Sequence, residues 1–462
     1  AANLRFGALF GKDHAVRHSI SIERPGEVIN RALKYRFDNS AGFGVFGEGD
    51  DGEPGTGTTH MIEEGFDGRA IVMHQDHPVT RRAVYKFPCV FKGFDVQRRF
   101  REAVRDGGPA AEIVVHNPDT FARLLREGDL GFCDAYLDGW WSTPDLQALL
   151  DLVQMPENDA VNDGFPGMGL VRAYERLRFW LQSNSRKQAK KNISYHYDLG
   201  NEFYRLWLDD TMTYSSAIFR TGQESLESAQ TEKYKSMVDQ MGAQPGDHVL
   251  EIGCGWGGFA EYAAKERGLR VTGLTISKAQ YDYAVARMER AGLSDRVEIK
   301  LQDYRDETGT YDGIASIEMF EAVGERYWPV YFDTLKSCLK PGRNATLQII
   351  TIADARWQVY KRGVDFIQKY IFPGGMLPSP SALRAEVERA GLSVKHSIEF
   401  GLSYSQTLRR WHETFNHRWD DVAKMGFDDR FRRMWNFYLT SCAGAFEGGN
   451  CDVTQITVTK PA

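Results

Sequence analysis

The stretch HVLEIGCGWGGFAEYAAKERG, residues 248–268, decides how this chain folds. His248–Ile252 is a short apolar run of strand character, and the segment from Gly258 reads as a helix that stops on Gly268. Between them lies Glu251-Ile-Gly-Cys-Gly-Trp-Gly-Gly258, an ExGxGxGG turn. Glycines let a backbone turn sharply and approach a ligand with no Cβ in the way. The run is not GxGxxG followed by a ribose-binding acid about 20 residues on, and no GxxxxGK[ST] occurs, so a P-loop nucleotide site is disfavoured.

Beyond this turn strand and helix alternate. RVTGLTI, VEIKLQD, YDGIASI, NATLQIITI and DVTQITVTK read as strands; KAQYDYAVARMERAG, YWPVYFDTLKSCL and SPSALRAEVERAG read as helices. That order predicts an α/β fold, a doubly wound and mainly parallel sheet with helices on both faces. Its ligand crevice lies at the carboxyl ends of the strands, where the glycine turn sits.

The N-terminal half is different. Residues 42–59 are rich in glycine and acid and predict a long loop. AEIVVH from Ala111 predicts a strand, and FARLLREGDLG, residues 121–131, a helix closed by glycine. Pro144 is well placed for the first turn of a further helix, DLQALLDLV. Residues 156–169 have linker composition. From Leu170 to Asn192 follows LVRAYERLRFWLQSNSRKQAKKN, with Leu170, Tyr174, Leu177, Trp180 and Leu181 at helical spacing. Seven positive charges, Arg172, Arg176, Arg178, Arg186, Lys187, Lys190 and Lys191, face only Glu175. Such a basic amphipathic helix can lie in a membrane interface, or can pack on its neighbours with a solvated edge. The expected partition is 1–75 of unassigned role, 76–155 a small α+β domain, 156–194 linker and basic helix, and 195–462 a catalytic domain.

The net charge of −6 argues against bulk binding to nucleic acid. The six cysteines are scattered without a CxxC pair, which disfavours zinc and a disulfide framework and suggests reduced thiols in a cytoplasmic protein. No run of about 18 apolar residues exists to span a membrane. His196 and Asp198 lack a third ligand at metal-binding spacing, so no metal is expected. Aromatic residues are 12% of the chain, with 10 Trp, 20 Tyr and 27 Phe, which must fill a core or line something.

The glycine turn after the first strand resembles that of the class I S-adenosylmethionine (SAM) methyltransferases. More narrowly, the chain resembles the cyclopropane fatty acid synthase, or mycolic acid methyltransferase-like, family. The words that carry this are YHYDLGNEFY (195–204), TMTYSSAIF (211–219), VLEIGCGWGG (249–258), VTGLTISKAQ (271–280), SIEMFEAVG (316–324), DFIQKYIFPGG (365–375) and SYSQTLRRWHETF (403–415). AYLDGWWSTPDL (135–146) is similar to the family's N-terminal domain. The resemblance implies a Rossmann-like sheet with an antiparallel last strand and a smaller lipid-binding α+β domain. It implies SAM contacts from Tyr214, Ser215, Glu251, Gly253, Gly255, Gly257, Thr275, Ile276, Gln280, Asp303 and Tyr304.

The reaction so implied is addition of a methyl or methylene group to an acyl double bond of membrane phospholipid. A carbocation intermediate needs a dry pocket, and aromatic faces stabilise it by on the order of 0.5–2 kcal/mol each. Tyr195, His196, Tyr197, Phe203, Phe320, Tyr370, Phe372 and Trp411 are the candidate lining. The family holds bicarbonate as the proton acceptor. By motif its Glu falls on Glu321 and its Tyr on Tyr404, but its Cys falls on Ser216 and its His on Ile350. Either bicarbonate binds in an altered shell with help from Gln348, or a carboxylate such as Glu318 or Glu321 acts directly. The product is expected to be a cyclopropane; a methyl- or methylene-branched (or furan-precursor) chain is the alternative. O- or N-methylation of a small metabolite, and a catalytically dead lipid-binding protein, are weaker readings. The expected location is the cytoplasmic face of the membrane, in peripheral contact. The oligomeric state is left open, a homodimer being one option.

Overall fold

The computed structural model describes strands at 18–22, 59–61 and 71–73, and residues 111–154, 188–189 and 199–462. All but Thr59 of the loop expected at 42–59, the linker at 156–169, all but two residues of the basic segment 170–192, and Tyr195, His196, Tyr197 and Asp198 lie outside the described residues. The chain divides into two compact units, Ala1–Met168 and Gly169–Ala462.

In the first unit β1 (His18–Ile22), β4 (Ala111–Val115) and β5 (Trp141–Ser142) form an antiparallel sheet, and β2 (Thr59–Met61) pairs with β3 (Ile71–Met73). The helix expected over 121–131 is two helices, α1 (Asp119–Glu127) and α2 (Asp129–Leu137). Gly128, at φ +67°, breaks them three residues before the expected glycine stop, and Gly131 sits inside α2. α3 (Leu146–Gln154) starts two residues after Pro144, with the Asp145 carboxylate accepting the Ala148 N–H.

The second unit opens with α4 (Asn201–Arg205) and α5 (Leu226–Met241). Then come β6 (His248–Ile252), α6 (Gly258–Arg267), β7 (Arg270–Thr275), α7 (Lys278–Ala291), β8 (Val297–Leu301), β9 (Tyr311–Ile317), α8 (Trp328–Cys338) and β10 (Leu339–Ile352). α9 (Asp354–Tyr360), α10 (Phe366–Tyr370), α11 (Pro380–Arg389) and β11 (Ser393–Glu399) follow; α12 (Gly401–His417), α13 (Trp419–Lys424) and α14 (Asp429–Glu447) precede β12 (Cys451–Thr459). The sheet order is β11-β12-β10-β9-β6-β7-β8. β12 runs antiparallel to both its neighbours, and the pairs among β10, β9, β6, β7 and β8 are parallel. The doubly wound sheet with one antiparallel strand is therefore the observed fold.

Local chemistry sets the boundaries. Ser225, Ser277 and Ser379 cap α5, α7 and α11 through side-chain oxygens, and Gly242, Gly268 and Gly292 end α5, α6 and α7 in the left-handed conformation. One core cluster gathers Phe320, Trp328, Tyr331 and Phe332 with Leu383 and Val387 of α11. A second gathers Met237 and Met241 of α5, Phe259 of α6 and Ala284 and Met288 of α7. In the large sheet two strands depart from expectation. β10 begins five residues early, at Leu339, and its pairing with β9 is interrupted between Leu339 and Asn344, where Pro341 has no N–H to give. β11 was not foreseen: it is a half-exposed edge strand whose apolar residues are Val394 and Ile398 alone, too weak an alternation to read.

Candidate functional site

The carboxyl ends of β6, β7, β8 and β9 converge on the glycine turn. Gly253, Gly255 and Gly257 all have positive φ, at +84°, +52° and +85°. A Cβ on Gly253 would lie 2.7 Å from Met319 Cγ, and one on Gly257 would press on Met288 and Ala284 of α7. Above Gly255 there is open space. These glycines hold the turn against its neighbours and leave a cradle over Gly255. Glu251, buried, accepts the Ala260 N–H of α6's first turn, and its Oε2 has no partner among the described residues. It braces the helix start. Thr275 Oγ1 and Gln280 Oε1 are 3.0 Å apart and both residues are buried, which is not the surface amide that an ordinary helix start would give. Ile276 follows Thr275 directly. Asp303 is gripped by Arg305 through Nε at 2.8 Å and Nη2 at 2.6 Å, and the Tyr304 ring meets Tyr331. A glycine cradle at a helix start, open above Gly255 and bordered by β7 and β8, fits a nucleoside-bearing cofactor such as SAM.

A carboxylate cluster lies at the end of β9. Glu318 has φ +48°, an uncommon conformation for a residue other than glycine. Its Oε1 accepts the Ser216 N–H at 2.8 Å and Gln348 Nε2 at 2.8 Å, and the Tyr404 hydroxyl donates to the same carboxylate. Ser216 thus acts through its backbone; its hydroxyl is turned away and donates to the Ala217 carbonyl. Glu321 Oε1 accepts the Ile350 N–H at 2.5 Å, and its Oε2 is buried with no partner among the described residues. Where the resemblance expects a histidine side chain, Ile350 supplies a backbone donor. Burial raises the proton affinity of both carboxylates, and the proximity of Glu318 adds to that of Glu321, which is pushed up to about 8.

Aromatic rings wall this cluster. Tyr214 lies 5.3 Å from Trp411, 5.5 Å from Trp207 and 6.5 Å from Phe372, and its hydroxyl is hydrogen-bonded to that of Tyr438 at 2.7 Å. Trp411 meets Tyr404 edge-on at 6.1 Å. The buried indole N–H groups of Trp207 and Trp411 have no acceptor among the described residues, as suits a dry enclosure. Phe203 packs with Trp207 and Trp435 behind these rings. Tyr370 meets Phe366, which packs on Phe437. Phe320 belongs elsewhere: its ring neighbours are Trp328, Tyr331 and Phe332 in the core. Its place between Glu318 and Glu321 in the sequence suggested lining, but the 3₁₀ turn at 320–322 points it inward.

Three participants escaped sequence reasoning. Lys233 on α5 is fully buried and donates to Ser215 Oγ at 2.6 Å. Gln455 on β12, opposite Gln348 in register, donates its Nε2 to Gln348 Oε1 at 3.0 Å. Gln455 Oε1 is in turn held by Ser236 Oγ and Gln240 Nε2, so both amides are oriented and Gln348 presents its NH₂ to Glu318. Tyr438 on α14 is the third. Lys233 stands in the polar run TEKYKS (231–236) and Gln455 in the last strand, neither in a motif, so no local signal marks them.

Glu321 makes a measurable claim. A carboxyl whose folded-state pKa is raised contributes stability that is present below its unfolded value and lost as pH rises through the folded one. Between about pH 5 and 8, Glu321→Gln is expected to flatten the pH dependence of stability by about 1.4 kcal/mol per pH unit. SAM affinity should stay near normal while turnover slows. Thermal melts across that range, with calorimetry and rates, check both; parallel melting curves and an unchanged rate would remove Glu321 from the chemistry.

The sheet order with its reversed strand, and the glycine cradle at the end of β6, define a class I SAM-dependent methyltransferase. A family model for mycolic acid cyclopropane synthetase matches residues 184–456, and the chain belongs to that family. The tuberculostearic acid methyltransferase of Mycobacterium tuberculosis is 38% identical over 360 residues, 76% of this chain and 84% of the relative. The cyclopropane-fatty-acyl-phospholipid synthase of Escherichia coli K12 is 36% identical over 363 residues, 77% of this chain and 89% of the relative. A mycolic acid cyclopropane synthase crystallised with SAH and CTAB superposes with a TM-score of 0.55 at 29% identity, over 59% of this chain and 98% of that one.

Proposed function

We propose that the chain methylates the double bond of unsaturated fatty acyl chains in phospholipid and closes a cyclopropane. The observation that carries this is a buried carboxylate cluster walled by Tyr214, Phe372, Tyr404 and Trp411, next to the glycine cradle. SAM would be held by the cradle over Gly255 with Thr275 and Gln280 beside it, and supplies an electrophilic methyl group. Tyr214 and Trp411 flank the cation left on the acyl chain and keep water from it. Glu318, Glu321, Ser216, Gln348 and Tyr404 form the proton-accepting end. The similarity to a tuberculostearic acid methyltransferase supports a second product, a methyl- or methylene-branched chain.

Among the described residues no helix is long and apolar enough to cross a membrane. Access to phospholipid would come through peripheral contact at the cytoplasmic face, made by the basic segment 170–192, with the domain at 76–155 contributing to lipid binding and 195–462 catalysing. Labelled SAM incubated with vesicles of cis- and trans-unsaturated phospholipid tests the reading. Label in the fatty acids is expected, and mass spectrometry separates ring from branch. No label with any vesicle, or labelling of soluble amines instead, would overturn it.

A further inference from the structure

The family resemblance implies a bicarbonate ion at the proton-accepting end, and the residues present do not fit one. The donors that would hold it are already used. The Ser216 N–H, the Gln348 amide and the Tyr404 hydroxyl all end on the Glu318 carboxylate, and the Ile350 N–H ends on Glu321. Ile350 has no side-chain donor to add. The Gln348 amide cannot turn away, because Gln455 fixes its oxygen. Glu318 reaches this position from a backbone with φ +48°, a strained conformation for a residue other than glycine.

We propose that the Glu318 carboxylate is itself the proton acceptor of the reaction and that turnover needs no bicarbonate. This rests on the alkene-methylation reading above. The alkene π pair forms a C–C bond to the methyl carbon, the C–S pair stays on sulfur, and a cation remains on the second alkene carbon. Glu318 then takes a proton from the new methyl, whose C–H pair closes the ring; a proton taken from a neighbouring carbon leaves a double bond instead. Either way one proton ends on Glu318 and the cation is discharged. Such a cation is so acidic that the acceptor needs position more than basicity. The charged and titratable groups facing Glu318 are Lys233 of α5, Tyr404 of α12 and Glu321 after β9. Burial raises the proton affinity of Glu318, and Lys233 and the three donors oppose that rise in favour of the carboxylate. Burial and the neighbouring Glu318 push the proton affinity of Glu321 up, whereas the Ser216 N–H, the Gln348 amide and the Tyr404 hydroxyl converge on Glu318, and this convergence marks Glu318 as the acceptor.

The test uses the full chain, labelled SAM and unsaturated phospholipid vesicles, in buffer purged of carbon dioxide or supplemented with millimolar bicarbonate. Equal wild-type rates are expected in both. Glu318→Gln should lose roughly 100-fold or more in kcat, with SAM affinity within a few-fold. Glu318→Gly relaxes the backbone and opens the donors, so it should be inactive in purged buffer and partly restored by bicarbonate or formate. A wild-type rate that collapses on purging and returns with bicarbonate overturns the proposal, as does a Glu318→Gln rate close to wild type. If wild type labels no acyl chain in any buffer, the alkene reading fails instead, and the proposal with it.

Discussion

Gly253→Arg is expected to abolish SAM binding while the domain still folds. Gly253 sits at φ +84°, and a Cβ there would lie 2.7 Å from Cγ and 3.0 Å from Cβ of Met319. An L-residue in the left-handed region costs roughly 1–2 kcal/mol, and forcing Met319 aside adds about 1–3 kcal/mol. Gly253→Ala isolates these terms and should weaken SAM by about 10- to 100-fold. Arginine adds a long cationic side chain at a cradle built for a cationic sulfonium, so its loss should be complete. Calorimetry with SAM reads both variants, with circular dichroism to confirm the fold. Near-normal affinity in Gly253→Ala would mean that the turn is not where the cofactor is held.

Lys233→Met is expected to cost both stability and activity. The ammonium is fully buried, bonded to Ser215, and lies in the field of Glu318, Asp209 and Glu251. Removing the cation strands buried carboxylates, a change worth about 3–5 kcal/mol, or a fall in Tm on the order of 10 °C. The pH profile distinguishes a role in the chemistry from packing. Lys233 lowers the proton affinity of Glu318. Without it Glu318 holds its proton to higher pH, so the acid limb of kcat/KM should move upward. The burial of Lys233 pulls its own pKa down to about 7, so the wild-type limb should also blur as that charge fades above neutrality. A destabilised variant with an unmoved acid limb would make Lys233 structural only.

Much of this was legible beforehand, for physical reasons. A buried parallel strand, a glycine turn and a capped helix each leave local marks, which is why β6 through α7 were read almost to the residue. The carboxylates Glu318 and Glu321 and the ring of Tyr404 were also visible, because they sit in dense words. Roles that depend on the third dimension were not. Ser216 stands where the resemblance expects a cysteine side chain, yet it serves Glu318 through its N–H while its hydroxyl turns to the Ala217 carbonyl. Phe320 was expected in the lining and lies in the core, since successive residues of a 3₁₀ turn point about 120° apart. Gln455 and Lys233 could not be read at all: their partners lie 107 and 18 residues away, and no local pattern links them.

The placement of β12 has a consequence for how the enzyme comes into being. Of the seven strands of the large sheet it is the last along the chain, yet it occupies an interior slot between β10 and β11. Gln455, which orients the amide facing Glu318, joins Ser236 across 219 residues. Closing so long a loop is entropically late. During synthesis the glycine cradle can therefore form while its neighbouring acid is still unaligned, so a nascent chain would acquire the means to hold a methyl donor before the means to finish a reaction with it.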